Sequence, residues 1–145
     1  MWQRVQTLYL TIASALVVAL FFCNKAIIPG PDGTPAQSFA FTAYLPYLIL
    51  LIVAAALHLL ALTTFKHRIF QMRTVILSAL ITFALQAWLV VDFILTRDTV
   101  VFRLPALFPV VAVILDAMAA RAIFADQMLV ESAYHLRKSR RDRRK

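Results

Sequence analysis

Four long apolar runs, separated by short polar breaks, cover most of the chain. Residues 4–22, 44–65, 74–95 and 104–124 each come close to the roughly 20 apolar residues that a helix needs to cross a bilayer. The first break, 24–43, holds both glycines, Gly30 and Gly33, and three of the six prolines, Pro29, Pro31 and Pro35. Its Pro-Gly-Pro-Asp-Gly run cannot stay helical or lie in lipid, so a loop is expected there. Ser38-Phe39-Ala40-Phe41-Thr42 alternates, as a short strand or an interfacial anchor would. The second break, Lys66-His67-Arg68-Ile69-Phe70-Gln71-Met72-Arg73, is a basic turn, and the third, 96–103, is mixed in charge. Pro46 suits a first helical turn, and Tyr44 and Tyr47 suit the headgroup layer.

The pattern predicts an all-α integral membrane four-helix bundle, 1–125, followed by a C-terminal cytoplasmic amphipathic helix and basic tail, 126–145. Leu129, Ala133 and Leu136 fall on one stripe of that last helix. The first run has Arg4 at its head, as a signal peptide would. Bulky Phe21 and Phe22 before Cys23 lack the small-residue cleavage pattern, so an uncleaved span is expected.

Composition supports lipid as the solvent. Of 145 residues, 62% are hydrophobic and 15% charged, where a soluble domain has about half and about a quarter. With Cys23 alone, neither an intrachain disulfide nor a thiolate metal cluster can form. The net charge of +8 sets the orientation through the excess of bases on cytoplasmic loops. An inside N-terminus puts 12 bases inside against 3 outside, namely Lys25, Arg97 and Arg103. Both termini are then cytoplasmic.

Depth along each run selects the candidate chemistry. Asp116 lies 12 residues from residue 104, His58 14 from Tyr44, Gln86 12 from Thr74 and Ser14 10 from Arg4. At about 1.5 Å per residue these four form one polar layer near the midplane. A charge at a helix centre costs about 2.5–3.5 kcal/mol on insertion scales, so Asp116 is expected to face inward and meet His58, with Gln86 and Ser14 nearby. The layer reads either as interhelical hydrogen bonding or as a proton or ion relay. Asp92 is expected at the outer edge as an interfacial partner of Arg97. Arg121 either turns inward to Asp116 or reaches cytoplasmic headgroups.

The tail places seven bases, Arg137, Lys138, Arg140, Arg141, Arg143, Arg144 and Lys145, in nine residues. It suits anionic headgroups. Without interleaved aromatics it does not favour nucleic acid. No metalloprotease His-Glu pattern, phosphate-binding glycine loop or nucleophile elbow occurs, and no motif calls for a cofactor or metal.

Three stretches carry a family resemblance. They are Met1-Trp2-Gln3-Arg4-Val5-Gln6-Thr7-Leu8-Tyr9-Leu10, the basic turn 66–73, and Ala120-Arg121-Ala122-Ile123-Phe124-Ala125-Asp126-Gln127-Met128-Leu129-Val130-Glu131-Ser132 with Leu136-Arg137. The chain is similar to domain-of-unknown-function family 4293, small membrane proteins of Bacteroidetes. The resemblance implies a four-helix inner-membrane protein and no activity. It draws Arg4, Gln6, Arg68, Gln71, Arg73, Arg121 and Asp126 onto one cytoplasmic patch, suited to a partner protein or to lipid headgroups. The expected role is a non-enzymatic interaction or assembly protein acting through that face and the tail. The alternative is a small transporter or proton path through Asp116 and His58.

Overall fold

The computed structural model describes residues 2–30, 37–65 and 67–142, with side chains over 5–30, 37–65 and 67–134. Four helices dominate: α1 (Trp2–Leu20), α2 (Leu45–Thr63), α3 (Arg68–Thr96) and α4 (Phe108–Asp142). A three-stranded antiparallel sheet closes one end, with β1 (Asn24–Ile28) between β2 (Gln37–Ala40) and β3 (Val101–Phe102). The helices pack in a ring, α1 on α2 and α4, and α3 on α2 and α4. His58 on α2 and Asp116 on α4 therefore face each other across the ring.

Each buried face follows a spacing of three and four residues. On α1 it is Gln6, Leu10, Ala13, Val17 and Leu20; on α2, Tyr47, Leu51, Ala54, His58 and Ala61. On α3 it is Gln71, Val75, Ser78, Thr82, Leu85 and Leu89; on α4, Ala112, Asp116, Ala119 and Ile123. A 3.5-residue repeat keeps a seam of side chains facing neighbouring helices, and small residues on it let backbones come close. Three of the four stripes carry an alanine buried to 0% exposure, and all four carry a buried polar group.

The outside is the apolar part. Ile49, Ile52 and Leu59 on α2, Leu80, Phe83 and Trp88 on α3, and Val111 and Ile114 on α4 are all exposed. Three helical stretches, Leu45–Thr63, Arg68–Thr96 and Leu104–Tyr134, are long and apolar enough to cross a membrane. The apolar stretch described on α1 is shorter, Val5–Leu20. Polar groups inside and apolar groups outside are the arrangement that lipid rewards.

The helix bounds differ from the apolar runs in two places. α3 starts at Arg68, not at 74, so most of the expected basic turn is its first turns. Residues 104–107 form a 3-10 turn, Leu104–Leu107, before α4 begins at Phe108. α4 then runs unbroken through the expected boundary at 126 to Asp142. The alternating stretch at 38–42 supplies β2 and the 3-10 turn Phe41–Ala43. The expected 96–103 turn contains β3, which pairs Ala26 with Phe102. Pro31–Ala36, Lys66, the Arg4 side chain, the side chains of Arg137, Lys138, Arg140 and Arg141, and all of Arg143, Arg144 and Lys145 lie outside the described residues.

Candidate functional site

The centre of the ring holds a buried polar cluster drawn from three helices. Asp116 is 0% exposed and His58 1%. Ser78 Oγ donates to Asp116 Oδ2 at 2.8 Å, and His58 Nε2 lies 3.3 Å from the same oxygen. His58 Nδ1 lies 2.8 Å from the Ala54 carbonyl, four residues back on its own helix. A carbonyl only accepts, so that contact fixes the proton on Nδ1. Nε2 then faces the carboxylate at ion-pair distance, and with a proton on each ring nitrogen the His58–Asp116 pair has no net charge, which suits burial. Ser78 has given its only hydrogen to Asp116, so it does not donate to the His58 ring nitrogens that lie 3.3 and 3.4 Å away.

Of the four residues expected in this layer, the structure joins two. Ser14 is half-buried, and its Oγ donates 2.7 Å to Leu10 O within α1. Gln86 lines a cavity of about 330 Å³ toward the strand end, beside Phe93, Phe102 and Leu104. Its Oε1 is buried without a hydrogen-bond partner among the described residues. Ser78 takes the place expected for Gln86, and Thr82 Oγ1 donates to Ser78 O at 2.9 Å one turn on. The signal for Ser78 is the stripe itself, since 71, 75, 78, 82, 85 and 89 form one seam of α3.

The strand end carries a second cluster. Lys25 Nζ lies 2.5 Å from Asp92 Oδ2, and Tyr47 OH donates to the same oxygen at 3.1 Å. The Lys25 ammonium sits 4.8 Å over the Tyr47 ring, and Tyr44, Tyr47 and Trp88 pack edge to face or tilted. Arg97, expected beside Asp92, instead stands exposed 3.9 Å from Asp98. Residues five apart diverge around a helix, where those three or four apart meet. Lys25 arrives because β1 folds back over this end, with Arg103 N donating to Lys25 O at 2.9 Å.

At the opposite end, the terminus of α1 and the α2–α3 corner meet α4. Gln6 Nε2 donates to Ala122 O at 3.2 Å, tying α1 to α4. Gln71 Nε2 donates to Ala61 O at 3.1 Å, tying α3 to α2. Arg68 Nη1 lies 2.8 Å from Asp126 Oδ2, an ion pair from α3 to α4 whose N–H is not aimed at that oxygen. Four of the seven residues expected on this patch thus hold helices together. Arg73 and Arg121 are exposed, and among the described residues neither has an ion-pair partner. Arg121 therefore faces outward and does not turn in to Asp116. Two cavities open here with Arg68 in the wall of both. One, of about 560 Å³, lies against Gln6, Thr11, Leu62 and Gln71. The other, of about 800 Å³, lies against His67, Phe70, Arg73 and Gln127. Beyond Asp126, the α4 residues Met128, Leu129, Val130 and Tyr134 are exposed.

No group of three or more His, Cys, Asp or Glu side chains that could hold a metal ion occurs among the described residues. The model of a family described as "Domain of unknown function (DUF4293)" matches residues 2–136. No curated protein matches, and no solved structure matches.

Proposed function

The chain belongs to the DUF4293 family, and we propose that it is a four-span protein of a bacterial inner membrane, both termini cytoplasmic, acting as a non-enzymatic interaction or assembly protein. Its working surface is the end that gathers Arg73, Arg121, the α4 extension and the basic tail. The observation that carries this reading is where exposed, unpaired charge lies. The central charges are buried and paired with each other, Asp92 is held by Lys25 and Tyr47, and Arg73 and Arg121 face outward. α4 supports it by length: 35 residues give about 52 Å against a hydrocarbon core of about 30 Å. A helix continuous with its own span carries the tail away from the bilayer, toward a cytoplasmic partner. The balance of 12 bases to 3 supports the orientation.

Crosslinking with mass spectrometry in native membranes tests it. A partner should crosslink to residues beyond 126 and disappear on deletion of 138–145. Crosslinks confined to the strand end would overturn the reading.

A second reading, proton or ion passage through Asp116 and His58, is favoured by one observation. Asp116 Oδ1 is buried without a hydrogen-bond partner among the described residues, and Asp116 borders a cavity of about 390 Å³ walled by Ala79, Phe83, Ala117 and Ala120. Asp116→Asn keeps the shape and removes the carboxylate. Full cellular function in that variant rejects the passage reading; loss of function with normal folding rejects the first.

A further inference from the structure

The α2–α3 corner has the makings of a site for one phosphate ester. We propose that it binds the headgroup of an anionic phospholipid, with the phosphate against Arg73, His67 and the first turn of α3. The proposal rests on the membrane-spanning reading above, which places this corner at headgroup depth.

Three independent features converge on the cavity of about 800 Å³. The first is charge. Arg68 is neutralised by Asp126 at 2.8 Å, which leaves exposed Arg73 as the cationic group lining the cavity without an ion-pair partner among the described residues, with the exposed imidazole of His67 beside it. The second is the helix start. α3 opens with no acidic residue in its first turn and no side-chain cap from His67. Its first amides have no helical acceptor, and Arg68, Ile69 and Phe70 of that turn line the cavity. Such amides and the positive end of the helix dipole favour an anion. The third is an unused acceptor. Gln127 Oε1 is buried without a hydrogen-bond partner among the described residues, and the Gln127 side chain lines the cavity. A headgroup hydroxyl or ammonium supplies the donor it lacks once the amide turns toward the cavity.

The apolar side of the corner identifies the ligand as lipid and not a soluble anion. Ile69 is 53% exposed and Phe70 51%. From them the exposed apolar face of α3 continues through Ile76, Leu77, Leu80 and Phe83. Acyl chains anchored by a phosphate at Arg73 would lie along it. Phosphatidylglycerol offers both the net charge and the hydroxyl donors, phosphatidylethanolamine the donor without net charge, and phosphatidylcholine neither.

Native mass spectrometry of the full chain, released from micelles after titration with each of these lipids at matched acyl length, tests the site. One phosphatidylglycerol per chain should be retained, ahead of phosphatidylethanolamine and then phosphatidylcholine. Arg73→Gln should weaken phosphatidylglycerol about fivefold, as expected for one base at an anionic surface. Gln127→Leu should erase the preference for phosphatidylethanolamine over phosphatidylcholine. Deletion of 138–145 should leave retention unchanged. Equal retention of all three lipids, an unaffected Arg73→Gln variant, or loss on tail deletion overturns the proposal. So does displacement of the lipid by glycerol 3-phosphate at equal concentration. Thiol labelling of His67→Cys in a Cys23→Ser background in sealed cells reads orientation separately. Labelling from outside refutes the cytoplasmic placement above, whereas absent lipid retention with His67→Cys shielded refutes the site alone.

Discussion

The centre of the ring and its terminal end both set polar and ionisable side chains between helices, to opposite effect. At the centre, His58, Ser78 and Asp116 meet from three helices and are fully buried. Their polarity is turned inward, onto one another. At the terminal end, Gln6, Gln71, Arg68 and Asp126 also link helices. There the linkers stand beside Arg73 and Arg121, which face outward. On the membrane-spanning reading proposed above, lipid explains the contrast. Near the midplane a polar group has no solvent to meet, so it must find a partner within the protein. At the headgroup layer water and phosphate are available, so charge can remain for binding. Substitution at the centre should therefore cost stability and spare binding, and substitution of Arg73 or Arg121 at the end should do the reverse.

The largest effect is expected at Asp116. Asp116→Ala strands Ser78 Oγ and His58 Nε2 in the interior and should destabilise the protein by about 2–3 kcal/mol in a detergent unfolding titration. Asp116→Asn retains an acceptor for Ser78 and should cost about 1 kcal/mol. Partner crosslinks, normalised to folded protein, should survive both. A loss from Asp116→Ala below about 0.5 kcal/mol would remove the structural role assigned to the centre.

The Arg68–Asp126 pair comes next, because it belongs to both classes. It bridges α3 and α4 and is partly exposed at both partners. A double-mutant cycle with Arg68→Ala and Asp126→Ala should give a coupling of about 1 kcal/mol, near the upper end for pairs that water reaches. Raising salt should shrink it, whereas the cost of Asp116→Ala should hold.

Depth alone located Asp116 and His58, because inserting a charge is costly enough to force it inward wherever it falls. It failed on α3. Counting from residue 74 put Gln86 at mid-membrane, but the helix begins at Arg68 and includes bases that an apolar window leaves out. Gln86 lies one residue from Leu85 on the buried seam, enough to turn it aside. The more apolar side of each helix is no guide to the core in such a chain, since that side faces out. The legible feature was the 3-4 spacing of small and polar residues, Ala13, Ala54, His58, Ala61, Ser78, Thr82, Ala112, Asp116 and Ala119. The strand-end cluster was not legible, because it depends on β1 crossing back over α2 and α3, a long-range contact that no local spacing encodes. Likewise Arg68–Asp126 joins residues far apart in sequence, and only a resemblance put them on one face.

Gln6 tests a smaller version of the same contrast. It is 6% exposed and donates to Ala122 O. Gln6→Leu keeps most of the volume and removes one interhelical hydrogen bond, which should cost about 0.6 kcal/mol. A much larger loss would show that α1, whose described apolar stretch is the shortest of the four, is held to the ring mainly at this point.

The smallest stability effect is expected at Arg121, and it discriminates most sharply. Arg121 lies on α4 five residues beyond Asp116 and five before Asp126, but it shares neither partner. An exposed side chain outside any ion pair normally changes stability by less than about 0.5 kcal/mol when replaced. Arg121→Gln should therefore unfold as the wild type does. If the terminal end is a binding face, the same substitution should weaken crosslinking at that face, so its binding defect appears without a stability defect. Asp116→Ala should show the opposite pairing. Were Arg121→Gln to destabilise the protein as Asp116→Ala does, Arg121 would be a helix-holding residue like Arg68. The outward-facing charge from which the binding role is argued would then reduce to Arg73 among the described residues.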